Sequence, residues 1–381
     1  MILLPREAYV EMSWQKREKS KIFSDSWSFV ALDSDLPEEG DFRALMCGDY
    51  PLLVLRLADG SLAGYQNICR HRGTLLVEGG KGNIGKAMIC PYHRWTYSLN
   101  GQLRGAPNMS SCFPDMDRSK MGLKPASVGV FQDMIFVHPD PQADFESWIA
   151  PIADKAWPHD LSASDLRESK SLTYDMKCNW KVFVENAIDG YHLAYLHENT
   201  LGGPTPDENI WKRHGDHMIW YAMDEEGVRH SLPAKIRKEF ADWWSKPVKS
   251  AENIEFGGVY FLFPNILITA TPYSFSLSWL EPVSTSRSLL HVRHWAGTEQ
   301  ARDERKFIPG YNGDSDIISS DNWKQHPLET GDFQTEDVWI CERNQRGLES
   351  PAFEIGALAE GPGAEEPIRW FHETLAEAMS L

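Results

Sequence analysis

Four residues with metal-ligand chemistry fall in two short, similar groups. The first reads Cys69-Arg70-His71-Arg72-Gly73 and the second Cys90-Pro91-Tyr92-His93-Arg94-Trp95, with eighteen residues between His71 and Cys90. Each group offers one thiolate and one imidazole beside a turn former, Gly73 or Pro91. Two hairpin tips facing each other would set these four ligands around one compact centre. Structural zinc sites pair like with like, as Cys-x-x-Cys and His-x-x-x-His, so a zinc site matches this spacing poorly. A mixed set suits a [2Fe–2S] cluster in which two imidazoles replace two thiolates on one iron, which raises its potential above that of an all-cysteine cluster. Such a centre relays single electrons and is not a Lewis acid.

A second set lies in the helix-patterned stretch Asn179–His197 and contains Asp189, His192 and His197. Asp189 and His192 are three apart and share a face of a continuous helix. His197 lies five beyond His192, about 140° further round at roughly 100° per residue. The two imidazoles can meet at one metal only if the helix ends or bulges between them, a distortion that marks functional sites. Two histidines and one carboxylate, leaving positions open, are the ligand set of non-haem Fe(II) oxygenases. A single histidine here would read as a satisfied core residue. Two of them beside an acid, downstream of a redox motif, favour the metal.

Cys69–Gly73 with Cys90–Trp95, followed by Leu123-Lys124-Pro125 and Gly129–His138, resembles the Rieske domain of the ring-hydroxylating oxygenase family. The run Glu185-Asn186-Ala187-Ile188-Asp189-Gly190-Tyr191-His192, with His197, resembles that family's mononuclear-iron motif. The resemblance implies a terminal oxygenase subunit with one Rieske [2Fe–2S] cluster and one mononuclear Fe(II). Cys69 and Cys90 would hold the inner iron of the cluster, and His71 and His93 the outer one. The third ligand of the mononuclear iron would come from Thr335–Leu348, where Asp337 takes the place and Glu336 and Asp332 are its rivals. Asp189 would be an electron-transfer bridge, joining His93 of the partner subunit to His192, which requires a homo-oligomer, in this family a trimer. A separate reductase, with flavin and NAD(P)H and in some systems a ferredoxin, would supply electrons, because no flavin or dinucleotide fingerprint is visible in the chain. The motif variant points first to aromatic acids as substrates for mono- or cis-dihydroxylation. Monooxygenation or demethylation of a choline- or betaine-like quaternary ammonium compound is the alternative. A reading from another class is a Rieske electron-transfer or ligand-binding protein without catalysis, against which His192, His197 and Asp337 all stand.

The elements that must position these residues follow from the texture of the chain. Residues 1–40 read as a helical segment belonging to the catalytic domain. Residues 41–150 alternate short β-rich runs (Leu52–Leu57, Met88–Cys90, Met134–His138) with Gly, Asn and Pro, as a small all-β domain does. Residues 151–381 form the catalytic domain, with a strand meander over Gly257–Trp295 and a helix near Asp337–Leu348 for which Gly347 is a candidate cap. The fold class is therefore α+β, an all-β domain plus a helix-covered antiparallel sheet. Phe261, Phe263, Tyr273 and Phe275 are candidate pocket walls. The runs with His214 and His217, a polar loop, and with His291 and His294, a strand, are weaker metal candidates, and Gly79–Gly82 reads as a tight turn.

Bulk properties exclude other classes. The 381 residues carry a formal net charge of −17, which argues against nucleic acid, whose binding needs clustered Lys and Arg. No apolar run approaches the ~20 residues of a spanning helix, and Met1–Arg6 lacks a signal-peptide pattern, so the expectation is a cytoplasmic protein with no membrane partner. The six cysteines suit metal ligation or burial better than a disulfide framework.

Overall fold

The computed structural model describes residues 3–153, 166–200, 210–221, 257–270, 274–297, 317–360 and 364–380. The chain divides into two compact units, one of Glu18–Ala153 and one of Met1–Arg17 with Asp154–Leu381. The first is inserted into the second.

The smaller unit is built from ten strands: β1 (Ser28–Leu32), β2 (Asp41–Cys47), β3 (Tyr50–Arg56), β4 (Leu62–Gln66), β5 (Gly80–Asn83), β6 (Ala87–Ile89), β7 (Thr96–Ser98), β8 (Leu103–Gly105), β9 (Pro125–Phe131) and β10 (Met134–His138). Seven form a sheet in the order β1-β10-β9-β4-β3-β2-β5, and β6-β7-β8 form a second, three-stranded sheet. Side chains alternate across a strand, and β3 uses both of its faces. Leu52 and Val54 join a core with Val30, Ala31, Ile135 and Val137. Leu53 and Leu55 join a second core that contains Cys69, Cys90, Trp95 and Tyr97. The metal-motif loops are thus anchored to one face of the main sheet.

Two expectations are corrected here. Residues 18–40 were assigned to the catalytic domain, yet Ser28–Leu32 is a strand paired antiparallel with β10 and belongs to the smaller unit. Only residues 1–17 join the larger one. Gly79–Gly82 is not simply a turn, since Gly80–Asn83 is an exposed edge strand along β2.

The larger unit contains an eight-stranded sheet among the described residues: β11 (Leu166–Met176), β12 (Ile210–His214), β13 (His217–Tyr221), β14 (Gly257–Leu262), β15 (Ile266–Ala270), β16 (Ser274–Ser284), β17 (Arg287–Gly297) and β18 (Ile317–Ser319). The order is β12-β13-β14-β15-β16-β17-β11-β18. The expected meander is present from β14 to β17. The β11–β18 pair is parallel, so the sheet is not wholly antiparallel.

Helices pack on it. Taken in chain order, α1 is Glu7–Val10, α2 Trp180–Ala187, α3 Leu193–Leu196, α4 Phe333–Glu349 and α5 Glu366–Ala378. The Asn179 side chain caps α2 by accepting from the Lys181 amide, and Asp332 caps α4 by accepting from the Thr335 amide. Phe371 of α5 sets its ring edge-on to Trp180 at 5.8 Å and to Phe261 at 5.7 Å. Phe261, Phe263 and Phe275, offered above as pocket walls, are buried in this packing, against Phe371 for the first two and Trp295 for the third. Tyr273 lies outside the described residues. Gly347 is inside α4, which runs on to Glu349, so it is not the cap. No helix among the described residues is long and apolar enough to cross a membrane.

Candidate metal centres

In the smaller unit two loops repeat one backbone design. The Cys69 amide donates to the Thr74 carbonyl and the Gly73 amide to the Cys69 carbonyl. The Cys90 amide donates to the Trp95 carbonyl and the Arg94 amide to the Cys90 carbonyl. The residue four beyond each cysteine has a positive φ, 77° for Gly73 and 55° for Arg94. Glycine takes this conformation freely. Arginine does so at a cost of about 1–3 kcal/mol, a form of strain that gathers at functional sites.

The repeated design brings His71 Nδ1 within 3.2 Å of His93 Nδ1, above two buried cysteines. Trp95 stacks on the His71 ring at 4.8 Å and 6°, and Phe113 meets both rings edge-on. Tyr97 Oη accepts from the Arg70 amide at 3.0 Å and so turns its proton toward Cys69 Sγ, 3.3 Å away. Burial pushes the Cys69 thiol up. A metal is what would hold such a sulfur as thiolate. The donor set therefore fits an iron–sulfur cluster.

In the larger unit α2 stops at Ala187, and Ile188–Tyr191 is not helical. His192 and His197 then bracket the single turn of α3. The chain leaves the helix once before His192 and, as expected, again between the two histidines, because the turn ends at Leu196 and His197, at φ −97° and ψ 22°, has left it. Asp189 sits in the turn and not on a shared helix face. Its Oδ1 accepts from the Tyr191 amide at 2.6 Å and its Oδ2 lies 3.1 Å from His192 Nδ1.

The two Nε2 atoms are 3.2 Å apart. Asp337 Oδ1, from the first turns of α4, lies 3.0 Å from His197 Nε2 and 3.6 Å from His192 Nε2. Three donors at neighbouring corners of an octahedron, with bonds of about 2.1 Å, would be about 3.0 Å apart. The opposite ring nitrogens both face carboxylates. His192 Nδ1 meets Asp189, and His197 Nδ1 meets Glu336 Oε2 at 2.7 Å, which also accepts from Thr200 Oγ1 at 2.7 Å. Each carboxylate draws the Nδ1 proton and leaves an Nε2 lone pair facing the centre, the arrangement that orients metal-bound imidazoles. His192, His197 and Asp337 are the one such donor group among the described residues.

Comparison with known proteins settles the family. The model for the ring hydroxylating alpha subunit (catalytic domain) matches residues 163–381, and the model for the Rieske [2Fe–2S] domain matches residues 26–124. The chain belongs to the ring-hydroxylating oxygenase alpha subunits. A glycine betaine monooxygenase oxygenase subunit of Chromohalobacter salexigens is 30% identical over 99% of this chain and 88% of its own. A chloroplastic choline monooxygenase of Arabidopsis thaliana is 25% identical over 99% and 83%. A crystal structure of a quaternary ammonium Rieske monooxygenase with an inhibitor shares the fold, with a TM-score of 0.74 at 21% identity over 99% of this chain and 95% of its own.

This alpha subunit is an O2-dependent oxidoreductase whose cofactors are a Rieske cluster and a mononuclear iron, and it works with a separate reductase and a small substrate. The rival acids take three different places in the structure. Asp332 caps α4, Glu336 is buried against His197 and Thr200, and among the described residues Asp337 alone faces both Nε2 atoms. Tyr97, and the place of Glu336 behind His197 rather than as a rival ligand, are not visible in the sequence, because their partners lie 28 and 139 residues away. His214 and His217 end the two strands of a hairpin, not a polar loop, and buried His217 accepts from the Phe263 amide. His291 is spent on Thr173 and Glu281.

Electrostatics set a pH dependence for iron loading. Burial works against a charged His192, but Asp189 and Asp337 outweigh it and raise its pKa to about 9. Burial likewise opposes the Asp337 charge, and the two imidazoles overcome it and hold the carboxyl below its usual range. Below the His192 pKa, Fe(II) must therefore displace a proton from that imidazole to bind. Below about 9 the affinity for Fe(II) should fall roughly tenfold per pH unit for one displaced proton, and above that pH it should level off. Anaerobic Fe(II) titrations from pH 6.5 to 9, in buffers of different ionisation enthalpy, would show this proton release. A flat profile would refute it.

Proposed function

We propose that Cys69, His71, Cys90 and His93 hold the Rieske cluster, that His192, His197 and Asp337 hold the mononuclear iron, and that the enzyme monooxygenates a small quaternary ammonium compound. The observation that carries the iron assignment is the convergence of two Nε2 atoms and Asp337 Oδ1, with both Nδ1 atoms committed to carboxylates. Iron bound there would supply the activation of dioxygen, which no side chain of the chain can perform. Asp189 and Glu336 orient the imidazoles, and burial of His197 and Glu336 keeps water from competing for them.

Asp189 has a second role in this reading. The Nδ1 atoms of His71 and His93 face each other, which leaves their Nε2 edges for a partner. Asp189 is the acid that would accept from His93 of the partner subunit while holding His192, so the working enzyme is a homo-oligomer, a trimer in this reading. Charge asymmetry favours such head-to-tail contact. Residues 70–124 hold nine Lys and Arg against three acids, in a chain whose net charge is −17.

The substrate class rests on the relatives matched along nearly the whole chain, a glycine betaine and a choline monooxygenase. It replaces aromatic acids, first expected from the motif variant, as the leading reading. Oxygen uptake with a surrogate reductase should rise with betaine-, carnitine- or choline-like cations and not with benzoate-like acids. Iron analysis of the same protein should give about three irons per chain, two in the cluster and one beyond it. Uptake with aromatic acids alone would reverse the substrate assignment, and two irons per chain would leave an electron carrier.

A further inference from the structure

Residues 1–25 fall outside both matched family regions, which begin at 26 and 163. They nevertheless reach the two helices that flank the iron donors. The Leu4 amide donates to His372 Nδ1 at 3.3 Å. An amide can only donate, so Nδ1 is the bare nitrogen of a neutral ring and Nε2 carries the proton. That Nε2 lies 2.9 Å from Glu185 Oε1, to which Tyr9 also donates its hydroxyl proton at 2.5 Å. Glu185 Oε1 thus takes two donors, as a carboxylate oxygen can.

Glu185 stands in the last turn of α2, where a negative charge opposes the helix dipole. Its placement therefore gains the helix nothing by itself, and Tyr9 and His372 compensate it. Two residues beyond that turn comes Asp189, whose amide donates to the Asn186 carbonyl. Tyr9 is tied to the start of the same helix as well, since Asn179 Nδ2 donates to the Tyr9 carbonyl at 3.2 Å. Arg6 serves the other helix. Its Nε and Nη2 donate to the carbonyls of Leu348 and Glu349 at 2.6 and 2.8 Å, closing the C-terminus of α4, which carries Glu336 and Asp337.

We propose that residues 4–9 form a latch that positions the mononuclear-iron donors, with Tyr9 acting through Glu185 on α2 and Arg6 acting on α4. This rests on the iron assignment above. Tyr9 and Arg6 are positioning residues, remote from the reacting atoms.

The test uses full-length protein stripped of mononuclear metal and titrated with Co(II), together with amide hydrogen exchange. Tyr9→Phe removes one hydroxyl and keeps the ring. It should weaken Co(II) binding about tenfold, in the range found when groups behind metal ligands are lost. It should also speed exchange at Ile188 and Asp189 several-fold and leave the visible spectrum of the Rieske cluster unchanged. Glu185→Gln keeps an acceptor oxygen for both donors and should bind Co(II) within about twofold of the parent, whereas Glu185→Leu should match Tyr9→Phe. Arg17→Met loses a contact to the Met379 carbonyl at the far end of α5. It serves as the control, lowering the melting temperature without changing Co(II) affinity. Parent-like Co(II) affinity and exchange in Tyr9→Phe would overturn the latch. So would equal damage from Glu185→Gln and Glu185→Leu, which would assign the effect to charge. If Tyr9→Phe does not fold, the Glu185 pair decides the question. Failure of the parent protein to bind Co(II) would instead retire the iron assignment and the latch with it.

Discussion

Asp337→Ala should abolish turnover, by more than about a thousandfold, while the Rieske spectrum stays intact, and the iron content should fall from about three to about two per chain. The reason is local. Among the described residues Asp337 is the only carboxylate whose oxygen faces both Nε2 atoms, and it is one of two acids that keep His192 at a raised pKa. Without it, two imidazoles remain, and their grip on Fe(II) is too weak to fill the site at ordinary metal concentrations. The cluster ligands belong to a separate unit with its own core, so they have no reason to respond. Iron analysis, visible spectroscopy and oxygen uptake on one preparation check all three parts. Retention of the third iron and of activity would show that the carboxylate ligand is another residue.

Asp189→Ala should separate metal content from electron flow. The three donors to iron remain, and His197 keeps Glu336, so both metals should be retained. What is lost is the oxygen that holds His192 Nδ1 and, in the proposed assembly, the acceptor for the cluster histidine of a neighbouring copy. Loss of orientation alone costs about 10–100-fold, and loss of the bridge should carry the defect beyond about a hundredfold. Stopped-flow mixing of the chemically reduced protein with oxygen and substrate reads the step directly. Reduction of the cluster should proceed at the parent rate, and its reoxidation should slow. Parent-like reoxidation would remove the bridge and leave Asp189 as an orienting group only.

What could be read from the sequence was what chemistry confines to short spacings. Cys69 and His71, or Cys90 and His93, declare themselves because one turn must bring a thiolate and an imidazole to the same compact two-iron cluster. His192 and His197 were legible for the same reason, and even the need for a helix interruption followed from 100° per residue. The additional break before His192 did not, because the chain leaves the helix there where Asp189 folds back on the Tyr191 amide. Asp337 was reachable only by resemblance, since nothing local distinguishes it from Glu336 one residue earlier. The helix phase that turns one acid to Nε2 and the other to Nδ1 exists only once α4 is docked. Strand β1 was missed because its partner Met134–His138 lies about a hundred residues on, and a five-residue run carries little periodicity of its own. Tyr9, His372 and Glu185 span nearly the whole chain, and no window of sequence contains them.

That span bears on how the enzyme is made. Leu4 bonds to a residue 368 positions later, so its segment must wait for that residue to leave the ribosome. At about 5–20 residues per second the interval is on the order of twenty seconds to a minute. Throughout it, the inserted unit, complete by residue 153, can close its cores and receive its cluster. The iron site cannot be closed by its N-terminal contacts until His372 has emerged. The order of the chain thus allows the electron relay to be assembled before the oxygen-handling centre. A nascent chain released early has a finished redox unit and no completed site at which its electrons could meet dioxygen.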